Sequence, residues 1–244
     1  MPGPVRVWHR SRVDDVSYVR REYASLDRLE MRRLDRTAWL RFDELDEEQT
    51  LLAAIAEVRP RRILDVGCGG ARVASTYTAP EVVCVDQSEA AVVAARERGL
   101  EAHVADAQAL PFDDASFDVV TCSHTLYHLP DKDRVLAEFV RVLRPGGRFA
   151  GIYNAPQHLV ELWQAVGAEW GRDDFDSESG LVLLRRHFAR VERRMRGGAV
   201  LWIGRDDLQR YLDAYVELIG PLAAPDGPYP FVATRAKCVF VADV

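Results

Sequence analysis

The chain has little sulfur and no long apolar run. Its 244 residues include four cysteines and three methionines. Cys68, Cys84, Cys122 and Cys238 lie far apart, with neither a CxxC nor a Cys/His ligand spacing, which excludes a zinc ribbon or a thioredoxin-like motif. Three of them sit in apolar runs, where a free thiol behaves as a small hydrophobe, so reduced structural cysteines and no metal site are expected. No segment approaches the roughly 20 apolar residues of a membrane helix, and the start MPGPVRVWHRSR lacks the apolar core of a secretion signal. The expectation is a cytoplasmic protein without membrane contact. An excess of positive charge is also missing: the net charge is −6 and the pI about 5.6. That balance supplies no footprint for nucleic acid. Arg20, Arg21, Arg32 and Arg33 raise the thought of an anionic ligand, but Glu22, Asp27 and Glu30 are interleaved with them, the pattern of solvated helix faces.

What is present, from Arg61 onward, is an alternation of short apolar runs with helical patterns, the signature of a parallel sheet covered by helices. RRILDVG, VVCVDQS, EAHVADA, the apolar end of PFDDASFDVVTCSH, and RFAGIYN read as five successive strands. SEAAVVAARERG has serine at its N-cap and glycine at its end, and predicts a helix. DKDRVLAEFVRVLRPGG carries Val135, Leu136, Phe139, Val140 and Leu143 at helical spacing, with Pro145, Gly146 and Gly147 as its stop. A short helix is expected over Ala71 to Thr78. FARVERRM and KCVFVADV predict a terminal antiparallel pair, with RDDLQRYLDAYVELIG as an added cap between them. Asp14 to Val58 is rich in charge and in helix formers, and Tyr18, Tyr23, Trp39, Leu40 and Phe42 supply apolar faces to a helical layer or lid.

The decisive stretch is RRILDVGCGGARVAS, a strand running into a glycine turn and a helix. A Walker loop needs GxxxxGK followed by a hydroxyl, which is absent. The dinucleotide fingerprint GxGxxG needs glycine at 72, where Arg72 stands. Asp65 instead precedes Gly67, Gly69 and Gly70. A carboxylate there repels a pyrophosphate and attracts an ammonium or sulfonium, by roughly 4 kcal/mol at about 4 Å in a half-buried site before desolvation. The turn favours a cationic nucleoside, and S-adenosylmethionine carries both groups. Asp86 ends the second strand, placed to accept from ribose hydroxyls. Asp106 follows the third, placed to accept from an adenine amino group.

With these residues the chain resembles a class I S-adenosylmethionine-dependent methyltransferase of the small-molecule type that includes the ubiquinone and menaquinone C-methyltransferases. ILDVGCGGAR, VVCVDQSEAAV, VADAQALPFDDASFDVV, SHTLYHLPD and RVLRPGGRF match the family's ordered motifs over about Ile63 to Gly151. The resemblance implies a Rossmann-like three-layer α/β sandwich: a mostly parallel seven-stranded sheet with an antiparallel terminal strand, and a helical N-terminal cap. It divides the chain into a cap or lid at 1–58 and a cofactor-binding domain at 59–244, with a cap insertion at about 199–222. It further implies that Asp65, Gly67 and Gly69 hold the methionine end of the cofactor, lined by the Cys68 backbone. Asp86 would bind the ribose, Gln87 would flank the adenine, and Asp106 with the Ala107 amide would read its edge. Ser123 would touch the methionine moiety through its backbone. The family often has glycine where Ala71 stands, which makes the backbone angle there a point to examine.

Methyl transfer is an in-line displacement, so the protein chiefly orients the acceptor and excludes water, and a base serves only where the acceptor must lose a proton. His124, Tyr127 and His128, after the fourth strand, are the candidates for that role, His124 first. Tyr18, Tyr23, Tyr153 and Asn154 are the candidate acceptor contacts, with His158 close by. Trp163, Trp170, Phe175, Phe188, Trp202, Tyr211 and Tyr215 read as core and cap packing, or else as a pocket for a flat apolar acceptor. DSESG is expected to be a mobile connection. The expected partner is a small-molecule methyl acceptor, for a monomer or homodimer. The competing readings are a catalytically silent binder of the cofactor and a nucleic-acid or protein methyltransferase.

Overall fold

The computed structural model describes residues 6–7, 39–41, 43–169, 174–216 and 220–244, with 6–7, 39–41 and 169 as backbone. Five neighbouring strands run parallel: β3 (Arg62–Val66), β4 (Glu81–Asp86), β5 (Glu101–Val104), β6 (Phe117–Thr121) and β7 (Leu143–Asn154). β10 (Phe231–Asp243) pairs antiparallel with β7, and β9 (Arg190–Trp202) antiparallel with β10. The order β9-β10-β7-β6-β3-β4-β5 is the expected seven-stranded sheet with its antiparallel strand. β2 (Trp39–Arg41) adds an eighth strand on β9. Trp39 and Leu40, expected on a helix, are therefore in a strand: β9 offers an open edge, and edge pairing overrides local helix propensity. Residues β1 (Arg6–Val7) and β8 (Ala168–Glu169) form a separate parallel pair.

The central strands are buried on both faces, as parallel sheets require. Alternate residues feed different layers. Ile63, Val119, Ile152 and Val239 pack with α1 (Glu47–Ala56) and α2 (Glu89–Glu97) on one face. Leu64, Val120, Phe149 and Phe240 pack with α3 (Lys132–Val142) and α5 (Ser179–Leu184) on the other. The three helices α1, α2 and α3 begin where the sequence supplies an acceptor for their open amides. Asp46 accepts from Gln49 N while the Gln49 side chain returns to Asp46 N; Ser88 accepts from Ala91 N, and Asp131 from Arg134 N. α3 buries Val135, Leu136, Phe139 and Val142 and passes directly into β7 at Leu143, so Pro145, Gly146 and Gly147 lie within that strand, where Gly146 takes φ +74°. The expected helix over Ala71 to Thr78 shrinks to one 3-10 turn at Ala74–Thr76.

Asn154, the last residue of β7, pairs with Lys237, so the paired ends Trp202 and Phe231 of β9 and β10 project past the carboxyl edge of the parallel strands. There α4 (Val160–Ala165) and α6 (Arg205–Asp213) enclose a second aromatic core with Trp163, Trp202 and Tyr211 buried and Tyr215 at its rim. Ala199–Trp202 belong to β9, and α6 lies in the excursion that follows. Phe175 and Phe188 are in the main core. Packing thus accounts for these rings, and Trp170 lies outside the described residues. DSESG is no loose connection: buried Asp176 accepts from Glu178 N and Ser179 N and starts α5.

Candidate active site at the carboxyl edge

The glycine turn joins β3 to the core of the molecule through β4. Gly67 N and Cys68 N both donate to Val85 O, at 2.8 and 3.2 Å. Left-handed φ recurs at every second residue: Gly67 at +69°, Gly69 at +50° and Ala71 at +52°. A side chain at Gly67 is impossible without rearrangement, because an added Cβ would lie 2.4 Å from Thr125 Oγ1. Ala71 therefore keeps the glycine-like backbone angle with a methyl group attached. That conformation costs about 1 to 2 kcal/mol, and the methyl, 1% exposed in the core, returns roughly 0.8.

Three acids stand at the carboxyl ends of the three adjacent strands β3, β4 and β5. Asp65 is 7% exposed and accepts from Thr121 Oγ1 at 2.6 Å. Burial pushes its carboxyl up to about 7, against the opposing Thr121 hydrogen bond and helped by the charge of Asp86. Asp86 accepts from Gly69 N through Oδ2 and from Ser88 N through Oδ1, each at 2.9 Å. It thereby ties the turn to the end of β4, and each oxygen retains a lone pair for a hydroxyl donor. Burial raises its carboxyl as well, opposed by those amides. Asp106 is exposed and accepts from Gln108 N at 2.9 Å, above a buried Ala107. Gln87 is half-buried between Asp86 and the α2 cap.

The segment after β6 is laced to β7. Ile152 N donates to Ser123 Oγ at 3.1 Å, and His124 N donates to Ile152 O at 2.9 Å. His124 takes φ +54°, a region that histidine and asparagine tolerate better than most residues. His124→Ala is expected to lose about 1 kcal/mol in urea melts and His124→Asn much less; equal losses would show that the backbone angle is not what the residue supports. Tyr127 packs on the main core, edge-on to Tyr153 at 6.5 Å and to His128 at 4.4 Å. His128 closes the 3-10 turn Leu126–His128, with its amide donating to Thr125 O.

Tyr153 corrects the sequence expectation. It is fully buried and its hydroxyl donates to Cys122 O, so its ring cannot touch an acceptor. The reason is strand periodicity: Tyr153 shares the inward face with Phe149, and its neighbour Asn154 takes the opposite face. Asn154 Oδ1 accepts from Lys237 Nζ at 2.5 Å, and His158 Nδ1 accepts from Ala236 N at 3.2 Å. Tyr18 and Tyr23 lie outside the described residues. Sequence reasoning missed Thr121 and Thr125, whose partners Asp65 and Gly67 are distant in the chain and become neighbours through strand pairing.

These donors and acceptors fit an adenosyl cofactor with a cationic tail: acidic oxygens with unused lone pairs on three adjacent strands, and a turn whose backbone carries no side chain at its first and third positions. Residues 64–151 match the methyltransferase domain family. The 27-O-demethylrifamycin SV methyltransferase of Amycolatopsis mediterranei (strain S699) is 42% identical over 145 residues, covering 49% of this chain and 53% of that protein. The ubiquinone biosynthesis O-methyltransferase of Hahella chejuensis (strain KCTC 2396) is 36% identical over 142 residues, covering 54% and 56%. The chain thus spans about half the length of the curated relatives it matches. A solved structure from Thermotoga maritima, described as an S-adenosylmethionine-dependent methyltransferase and possible histamine N-methyltransferase, superimposes with TM-score 0.58 at 19% identity, covering 91% of this chain and 98% of that one, which shows a shared fold. Over residues 64–151 the chain is thus similar in sequence to the methyltransferase domain family.

Proposed function

We propose that the protein transfers the methyl group of S-adenosylmethionine to an oxygen of a small-molecule metabolite. The observation that carries this reading is the set Asp65, Asp86 and Asp106 on neighbouring strand ends, with Asp86 bound to the amide of the glycine turn itself. Asp65, Gly67, Cys68 and Gly69 would hold the methionine end, Asp86 and Gln87 the ribose and the adenine flank, Asp106 and Ala107 the adenine edge, and the Ser123 backbone would line the site. When bound, the cofactor supplies a methyl group already activated by its sulfonium. The chain's own task is then to orient the acceptor and exclude water, which lowers such barriers by roughly 7 to 11 kcal/mol. The names of both relatives refer to O-methylation of small molecules, which supports an oxygen acceptor. His124, half-buried beside Ser123 at the end of β6, is the group we assign to receive the acceptor's proton. Asn154, at the end of β7, would contact the acceptor's polar groups. The Glu48 carboxylate pairs with Arg72 just after the glycine turn, which supports a covering role for the N-terminal segment 1–58.

Calorimetry with S-adenosylhomocysteine should show one site per chain, and no uptake would end this reading. A metabolite extract incubated with isotope-labelled methyl donor, read by mass shift, should then reveal the acceptor.

A further inference from the structure

Asp65 and Thr121 face each other across β3 and β6 as partners in the strand register. Thr121 is fully buried, and its hydroxyl lies 2.6 Å from Asp65 Oδ1, against 3.3 Å from the alternative acceptor Leu64 O. The shorter distance falls in the range of hydrogen bonds to an ionised oxygen. No described residue donates to the other oxygen, Oδ2. The titratable groups around Asp65 are Asp86 at the end of β4, Cys68 in the glycine turn, Tyr77 after it and Cys122 beyond β6. None of them brings a positive charge, so among the described residues Asp65 has no built-in counter-ion.

We propose that Thr121 is a positioning residue for cofactor binding: by donating to Asp65 Oδ1 it reserves Oδ2 for the ammonium group of the cofactor's methionine end. This rests on the cofactor reading above. The hydroxyl has a single proton, and while it is committed to Oδ1, any proton on the carboxyl sits on Oδ2. An arriving ammonium then takes the place of that proton, which leaves to solvent, and the buried carboxylate gains a counter-ion that no described residue supplies. Binding is thus coupled to release of one proton, and the Thr121 hydrogen bond favours the ionised form that accepts the ammonium. Burial raises the Asp65 carboxyl to about 7 and Thr121 opposes that rise, so affinity should climb as pH increases to about 7.

The test is titration of S-adenosylhomocysteine into the full chain from pH 5.5 to 8 with wild type, Thr121→Val and Thr121→Ser. Thr121→Val should weaken binding at pH 7 about tenfold or more, the size of a lost hydrogen bond to a charged group, and move the acidic midpoint upward; Thr121→Ser should restore both. Weaker binding with an unmoved midpoint would indicate a merely structural role and overturn the proposal, as would unchanged binding. Should Thr121→Val fail to fold, Thr121→Cys, which keeps the volume and offers only a weak donor, serves instead: it should show the same weakening and the same upward midpoint, and an unmoved midpoint overturns the proposal. Absence of binding by the wild type would remove the cofactor reading itself, and a wild type that binds while the variants match it removes this inference alone.

Discussion

Asp65→Asn should make the ligand-free protein more stable above pH 7 while stripping it of affinity for its cofactor. Burial pushes the carboxyl from 3.8 in the unfolded chain up to about 7 in the folded one, with no counter-ion among the described residues to offset the loss of water. A raised acid has the opposite sign from an ordinary salt-bridged one. Below about pH 4 both states are protonated and the group costs nothing. Between about 4 and 7 the unfolded state ionises first, and folding loses about 1.4 kcal/mol per pH unit, roughly 4 kcal/mol in all. Above 7 the penalty is constant. Asparagine still accepts from Thr121 at Oδ1 but never ionises, so its urea midpoint should not share this fall between pH 5 and 8. Parallel pH profiles for the two proteins would refute the assignment. The opposed effects on stability and on binding mark a group held in an unfavourable state for the sake of a ligand.

Asp86→Ala should be costly in both respects. It strands Gly69 N and Ser88 N, the two amides that the carboxylate joins, and frees the glycine turn from the end of β4. An unsatisfied amide costs about 1 to 3 kcal/mol where water cannot replace its partner, so a loss of about 2 to 4 kcal/mol in stability is expected at this half-buried site. Binding of S-adenosylhomocysteine should weaken at least 100-fold, since the ribose acceptors and the turn's geometry vanish together. Asp86→Asn, which keeps one acceptor oxygen, should fall between. Calorimetry checks the first variant against the second; equal affinities for alanine and wild type would show that the carboxylate takes no part in the site.

Much of the sheet was legible in the linear sequence because its determinants are local. Ser88 and Asp131 mark helix starts, Gly99 and Pro145-Gly146-Gly147 mark stops, and the apolar runs between them are short enough for buried strands. The three acids were legible for the same reason: each ends an apolar run at a spacing of about 20 residues, and a parallel crossover returns each such end to one edge of the sheet.

Other features depend on pairings that no local pattern encodes. Trp39 and Leu40 left a helical pattern for β2 because the edge of β9 was open to them. Tyr153 turned inward and Asn154 did not, because register against β6 and β10 sets which face a strand residue takes. Thr121 met Asp65, and Thr125 closed over Gly67, only once β3 and β6 lay side by side, 56 and 58 residues apart in the chain. Chain-local chemistry could therefore specify a cationic nucleoside, through the acid and the glycines of one turn. Long-range strand pairing specified which oxygen of that acid is free to receive it, because the buried hydroxyl that engages the other oxygen arrives from a different strand.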